Sequence, residues 1–565
     1  LEDISMDFNI FKNGIFAGNI TSRCSVWAPF IEEIDLHVVS PFDDSIRLNK
    51  DSDGYHTIEI EAIQPGCRYF YRLNNGIEYP DPASRFQPEG VLGPSEVTVN
   101  NFEWTDFDWK GPAIEDYIIY ELHTGCFSPQ GNFKSTIPYL DRIKDLGITA
   151  LEIMPVAQFP GARNWGYDGV FPFAVHNSYG GPDGLKYLIN ECHNRNLAVI
   201  LDVVYNHLGP EGNYFEYFGP YFTDRYSTPW GKAINFDGSY SDDVRRFFIE
   251  NSLYWVKEFH IDALRLDALH AVIDMSSYPF LRELSDCIKD FRTSAGRNIY
   301  LIGESDANDR KTITSAESGG FGIDAQWNED FHHSLHTVLT DENNGYYQDF
   351  GSLNQLAKAY KYGFAYYGQY SKYRKRRHGS LSNDIKASKF VVFIQNHDQV
   401  GNRFLGERLS RLVSFEKLKL AAGIVILSPY IPLFFMGEEY GETAPFLYFI
   451  DHSDPSLIEA VREGRKEEFK SFSNAGDVPD PQNPAAFMRS KLNHDLTQRT
   501  PNNYLLSLYK ELIRLRRNTP PLCNFNKTSL EVISLENEEI LYVRRWENAD
   551  NIIMIFNFSN NGRSM

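Results

Sequence analysis

The stretch Ala198-Val199-Ile200-Leu201-Asp202-Val203-Val204-Tyr205-Asn206-His207 is an apolar run of strand length that ends in groups able to carry charge or a proton. The same form recurs downstream as Leu264-Arg265-Leu266-Asp267-Ala268, Ile302-Gly303-Glu304-Ser305 and Ile394-Gln395-Asn396-His397-Asp398. A core strand buries its side chains, so ionisable groups gathered at the ends of several strands have another job. The C-terminal mouth of a β/α barrel is where such a job is done. The pattern predicts an enzyme with carboxylates converging on one cleft.

Outward from these segments, apolar runs alternate with amphipathic ones. Residues 117–122, 150–156, 198–204, 263–266, 300–302, 325–327, 390–394 and 431–436 read as strands, with helix-like 137–146, 185–195 and 244–259 among them. Eight such strands predict an α/β fold, a (β/α)8 TIM barrel. Residues 207–243 are rich in Gly, Tyr and Pro without helical period, and read as an inserted subdomain after the third strand. Before the barrel, short alternating runs at 23–28, 34–39, 55–60 and 69–73 lie between turn residues and predict an N-terminal, immunoglobulin-like β-sandwich. Alternation returns at 530–535, 540–545 and 552–558, which predicts a C-terminal all-β domain cut short. The expected domains are 1–100, 101–518 and 519–565.

The net charge of −21 repels phosphate backbones and anionic lipid, so nucleic acid and membrane are not expected partners, while a neutral substrate is compatible. The one basic run, Lys372-Tyr373-Arg374-Lys375-Arg376-Arg377-His378, reads as a solvated loop or a counterweight to acidic neighbours. Aromatic residues at 15% suit stacking on sugar rings, although a large core uses them too. Six scattered cysteines form no Cys-x-x-Cys pair; Cys192 and Cys287 read as buried free thiols. With no signal-peptide pattern and no membrane-spanning apolar stretch, the expected location is the cytoplasm. No metal or cofactor is expected.

Splitting a glycosidic bond takes two carboxyl groups in different protonation states. Asp267 and Glu304 are the best pair. Arg265 and Asp267, two apart on a strand, face the same side, so the guanidinium keeps the carboxylate ionised, as a nucleophile requires. Glu304 follows an apolar run, and burial beside another anion raises a carboxyl to where it serves as general acid. Asp398 is the third carboxylate, with His207 and His397 as donors to sugar hydroxyls. Taken singly, Arg265–Asp267 reads as an ion pair, Asp398 as a helix N-cap, and Asp202 with Asn206 and His207 as a calcium or loop-bracing site. Four such segments in this order, each at a strand end, outweigh those readings.

These segments resemble the four signature regions of glycoside hydrolase family 13, the α-amylase superfamily. The resemblance implies Asp267 as nucleophile, Glu304 as acid/base and Asp398 as transition-state stabiliser. It implies Asp202, His207, Arg265 and His397 as supporting polar residues, and Tyr167 of Trp165-Gly166-Tyr167-Asp168-Gly169 as the ring under the sugar that supplies the anomeric carbon. One departure is visible: Ala263-Leu264 precede Arg265 where the family usually has Gly-Phe. Narrower stretches, among them Asp330-Phe331-His332-His333-Ser334 and Phe435-Met436-Gly437-Glu438-Glu439-Tyr440, resemble the members that act on maltooligosyltrehalose. That resemblance implies hydrolysis of the α-1,4 bond next to a terminal trehalose; the expected assembly is a monomer or homodimer. Burying trehalose hydroxyls needs polar partners. The candidates by position are His270, Asp306, Asp330, His332, Gln399 and Arg403. The rivals are a glycogen or starch branching enzyme and a catalytically inactive glucan-binding protein.

Overall fold

The apolar runs close into one parallel barrel, in which β1 (Ile119–Leu122), β2 (Ala150–Ile153), β3 (Ala198–Val203), β4 (Ala263–Leu266), β5 (Tyr300–Gly303), β6 (Ala325–Trp327), β7 (Phe390–Val392) and β8 (Ile431–Phe435) are neighbours in that order. This computed structural model describes residues 11–17, 21–61, 63–74, 76–99, 101–469 and 478–559. The expected domain ends at 1–10 and 560–565 lie outside the described residues. Several strands stop short of the apolar run that announced them, because the last residues turn off the barrel to build its mouth.

Side chains alternate between the two faces of each strand. The inward set begins as an apolar plug that includes Ile119, Ala150, Ala198, Ile200, Ala263, Ile302, Ala325 and Trp327. Counting by twos from that plug, β3 continues to Asp202, β4 to Arg265 and Asp267, β5 to Glu304, β1 to Glu121 and β2 to Glu152. One alternation therefore fills the bottom of the barrel with hydrocarbon and its mouth with charge.

The predicted helices form with shifted ends, as Gly181–His193 and Ser241–Glu258. The stretch 137–146 divides into a 3-10 turn, Ile137–Tyr139, and a short helix, Leu140–Leu146. Pro138 sits in that first turn, where its missing N–H costs nothing. After β3 the chain makes one helical turn (Phe215–Phe218) and a hairpin, Phe222–Thr228 against Gly231–Ile234.

The N-terminal strands form two antiparallel sheets, one with Ser22–Trp27 against Tyr55–Ile60 and one with Ile34–Ser40 against Arg68–Leu73. They seat against the barrel's excursion: Trp27 packs edge-on to Tyr221 at 5.3 Å, and the Tyr55 hydroxyl donates to Asp243 at 2.8 Å. Leu530–Leu535, Ile540–Glu547 and Asp550–Asn557 make an antiparallel three-stranded sheet. Buried Arg545 ties it to the barrel by donating to the carbonyls of Leu427 (2.9 Å) and Ser428 (3.1 Å).

Two expectations need correction. Cys192 is buried, but Cys287 is only half-buried, because it lies on the edge of its helix's apolar face. The basic run is not a free loop: it forms the turn and second strand of a hairpin, Tyr367–Ser371 with Arg376–Gly379, and its His378 is buried.

Candidate active site

Arg265 is the hub. Fully buried on β4, its Nη1 donates to both oxygens of Asp202 and to Oδ1 of Asp267, and its Nη2 donates to Oε2 of Glu304, each at 2.8 Å. The guanidinium also lies 4.4 Å from the ring centre of Trp327, a cation–π contact at the base of the site. One cation thus holds the ends of β3, β4 and β5 together.

The shared cation leaves its carboxyls in different states. Burial lifts Asp267, but Arg265, His207 and a hydrogen bond from Asn206 (2.8 Å to Oδ2) outweigh it and hold the carboxyl below its usual range. Burial dominates at Glu304; with Asp267 and Asp398 as neighbouring anions, it overrides Arg265 and pushes the group up to about 8. Burial likewise raises Asp202 to about 7 against the pull of Arg265. Ala268, directly after Asp267, has φ of 41°, a left-handed conformation that costs a side-chain-bearing residue on the order of 1–3 kcal/mol. The turn aims the Ala268 N–H at Glu304 Oε2, 2.9 Å away. Both contacts fall on Oε2, so Oε1 is left to carry the proton.

Beside this hub stands a second chain of contacts. The Tyr167 hydroxyl donates to Asp202 at 2.6 Å and lies 2.8 Å from His397 Nε2, while the two rings stack at 5.1 Å. His207 contacts the Asn206 side chain and the Tyr167 carbonyl (2.9 Å), with Trp230 of the excursion hairpin stacked on it at 5.1 Å. Asp398 lies 3.4 Å from His397 Nε2. Asn396, not Asp398, caps the helix His397–Gly401, by accepting from the Asp398 and Gln399 N–H groups. Asp398 is therefore free of capping and is partly exposed at the mouth.

The six further candidates divide. His270 and Asp306 are exposed together, 3.9 Å apart, and Arg374 of the basic hairpin reaches Asp306 at 3.1 Å. Gln399 donates to Glu329 at 2.5 Å. Arg403 is committed to Glu342 through two bonds of 2.7 and 2.8 Å. Asp330 is buried and accepts from Asn308 (2.8 Å) and from the Ala365 and Tyr366 N–H groups (2.8 and 2.9 Å). His332, also buried, has Nδ1 on the Ile394 carbonyl (2.7 Å) and Nε2 on the Tyr347 hydroxyl (2.9 Å). Asp330 and His332 are thus turned into the scaffold, not toward the mouth. Phe331 and Tyr440 are core. Among the described residues, no group of three or more His, Cys, Asp or Glu is arranged to hold a metal ion, and no helix is long and apolar enough to cross a membrane.

A family model described as alpha amylase, catalytic domain, matches residues 79–227. The malto-oligosyltrehalose trehalohydrolase of Saccharolobus solfataricus is 49% identical over 507 residues, covering 90% of this chain and 87% of that protein. The chain belongs to the malto-oligosyltrehalose trehalohydrolase family. Another trehalohydrolase of that name, from Arthrobacter ramosus, is 42% identical over 88% of this chain and 87% of its own length. A crystal structure of a Salmonella typhimurium protein, described provisionally as an alpha amylase, superposes with a TM-score of 0.90 at 38% identity, covering 97% of this chain and 93% of that one.

Within this trehalohydrolase-family chain, sequence reading missed Trp230 and Glu329 at the mouth, and Glu121 and Glu152 inside it, and gave Asn206 and Arg374 no place in the site. A signal existed for Glu121 and Glu152. Each is a lone charge in the inward register of an otherwise apolar strand, as in Ile118-Ile119-Tyr120-Glu121-Leu122. For Trp230 there was none, because hairpin tips have no periodicity that says what they overhang; Arg374 lies in the basic run read as a counterweight to acidic neighbours, and it meets Asp306 at 3.1 Å.

Proposed function

We propose that this chain hydrolyses the α-1,4-glucosidic bond next to the terminal trehalose of maltooligosyltrehalose, releasing trehalose and a maltooligosaccharide with retained configuration. The observation that carries the retaining chemistry is the single guanidinium that reaches both Asp267 and Glu304 at 2.8 Å at the barrel mouth, with Asp267 pushed down by that cation and Glu304 pushed up by burial; the trehalose linkage is taken from the relatives named malto-oligosyltrehalose trehalohydrolase. One guanidinium spans only close-set carboxyls, the arrangement of retaining glycosidases, where the pair stands about 5 Å apart.

Glu304 gives its proton to the glycosidic oxygen as that bond breaks, and Asp267 attacks the anomeric carbon, forming a glycosyl ester. Trehalose leaves with the proton. Glu304, now a carboxylate, takes a proton from water; the oxygen of that water attacks the anomeric carbon and expels Asp267. Two inversions give retention. Asp398 accepts from hydroxyls of the distorted sugar, the Tyr167 ring carries its apolar face, and His207 and His397 contact its hydroxyls. His270, Asp306 and Gln399 meet the trehalose end, where a disaccharide of eight hydroxyls needs polar partners. Arg403, Asp330 and His332 brace that wall from behind. The reading is of a cytoplasmic monomer or homodimer, in keeping with six free cysteines.

The test is a comparison of maltotriosyl-trehalose with maltopentaose, equal in length and different only in the terminal linkage. Trehalose is expected from the first at a kcat/KM roughly 100-fold or more above hydrolysis of the second, the margin that hydrogen-bonded recognition supplies. Equal rates on both would overturn the assignment, and products with new 1,6 branches would favour a branching enzyme.

A further inference from the structure

Glu121 is the carboxyl for which the mechanism above has no use. It sits in the middle of β1, about 1% exposed, paired in register with Glu152 of β2 and Phe435 of β8. Burying a carboxylate in a barrel wall is strongly unfavourable unless it is paired. Both of its oxygens are engaged by one residue, 276 positions away: Oε2 accepts the His397 backbone N–H at 3.1 Å and Oε1 meets the ring Nδ1. Glu152 beside it has neither oxygen hydrogen-bonded, and burial with Glu121 nearby drives it well above the usual carboxyl range, so it holds its proton.

We propose that Glu121 is a positioning residue that keeps His397 a doubly protonated imidazolium, and thereby fixes the direction of every hydrogen bond from His397 through Tyr167 and Asp202 to Arg265. This rests on the proposed function, since it gives Tyr167 its place under the sugar. With both ring nitrogens protonated, His397 Nδ1 donates to Glu121 and Nε2 donates to the Tyr167 oxygen. Tyr167 must then give its own proton to Asp202, the acceptor it faces at 2.6 Å. Asp202, occupied by Tyr167 and Arg265, holds the guanidinium in line for Asp267 and Glu304. A neutral His397 would keep one proton only. If that proton stays on Nδ1, Nε2 becomes an acceptor, and Tyr167 is divided between His397 and Asp202.

The charges facing His397 set the sign. Burial strips its proton and Arg265 from β4 opposes the charge as well, while His123 just beyond β1, lowered to about 4 by its own burial, is neutral over the working range. Asp398 beside it and Glu121 from β1 outweigh these and hold the ring at about 10. Asp267 adds to the anionic side and Asp202, raised to about 7, joins it only as pH passes that value, while Glu152 is neutral. Replacing Glu121 removes both a charge and a bond, so the ring titrates lower and the imidazolium is lost as pH rises.

The experiment is the pH profile of kcat/KM on maltotriosyl-trehalose, from about pH 5 to about pH 7.5, for wild type, Glu121→Gln and Glu121→Asp. Glu121→Gln is expected to lose roughly 10-fold at the acid end and roughly 100-fold at the alkaline end, through one new ionisation, with part of the alkaline arm restored in Glu121→Asp. A Glu121→Gln profile parallel to wild type, at whatever offset, would overturn the proposal, because a merely structural defect scales all pH values alike. Should Glu121→Gln not fold, the 15N shifts of His397 in the wild type decide. Imidazolium values persisting to about pH 8 support the role, and titration below about pH 7 overturns it. Wild-type protein that releases no trehalose would strike the underlying reading instead, and the 15N result would still judge Glu121.

Discussion

Glu304→Gln is expected to lower kcat/KM on maltotriosyl-trehalose by about 10³-fold, the worth of a placed general acid, and to abolish the alkaline limb of the pH profile. The wild-type limb follows from the state of Glu304. Burial, with Asp267 and Asp398 near, lifts this carboxyl to about 8, so the acid is protonated below that pH and is lost as pH rises through it. The kcat/KM profile reports the free enzyme, in which that environment applies. Gln keeps the shape of Glu304 and can still meet Arg265 and the Ala268 N–H through its oxygen, but it has no proton to give. A glycosyl fluoride needs no protonation to leave, so formation of the glycosyl-enzyme from α-maltosyl fluoride should survive the substitution far better. Turnover of the natural linkage at near wild-type rate by Glu304→Gln would mean that another group is the acid.

Arg265→Met is expected to be nearly inactive and to cost about 3–5 kcal/mol of stability, the penalty for removing one partner from buried ionic contacts. The size comes from geometry: Asp202, Asp267 and Glu304 all lose the same cation, and among the described residues no second cation forms an ion pair with any of them. The loss also depends on pH. Without the guanidinium, burial lifts Asp267 from below its usual range to above it and Asp202 and Glu304 further above theirs, so the variant's native state binds more protons than its unfolded state. Stability then falls as pH rises, and the gap to wild type widens from about pH 5 to about pH 8. Thermal unfolding across that range measures it. A constant gap would show that Arg265 stabilises by packing against Trp327 rather than by charge.

The barrel was legible because its strands are apolar runs and its chemistry keeps the strands' own alternation: Ala263, Arg265 and Asp267 are inward together for the reason any period-two pattern is. The Arg265–Asp267 contact could be read from spacing alone. The contacts of Arg265 with Asp202 and Glu304 could not, because they join residues 63 and 39 positions apart that only barrel closure brings together. The same holds for Glu121 and His397, joined over the end of β8, which lies between β1 and β7. Asp330 and His332 were over-read for a different reason. A motif on a helix does not say which side faces the cleft, and in Glu329–Thr340 it is Glu329, one residue earlier, that reaches Gln399. Asp398 and the cap were separable only in three dimensions, since Asn396 two residues before is an equally good capping side chain.

The most direct measurement is to trap the glycosyl-enzyme. Incubation with 5-fluoro-α-glucosyl fluoride slows the second step more than the first, and peptide mapping by mass spectrometry then locates the ester. The account predicts one sugar per chain, on Asp267, and none in Asp267→Asn. A label on Asp202, Glu304 or Asp398, or continued turnover of maltotriosyl-trehalose by Asp267→Asn, would contradict it.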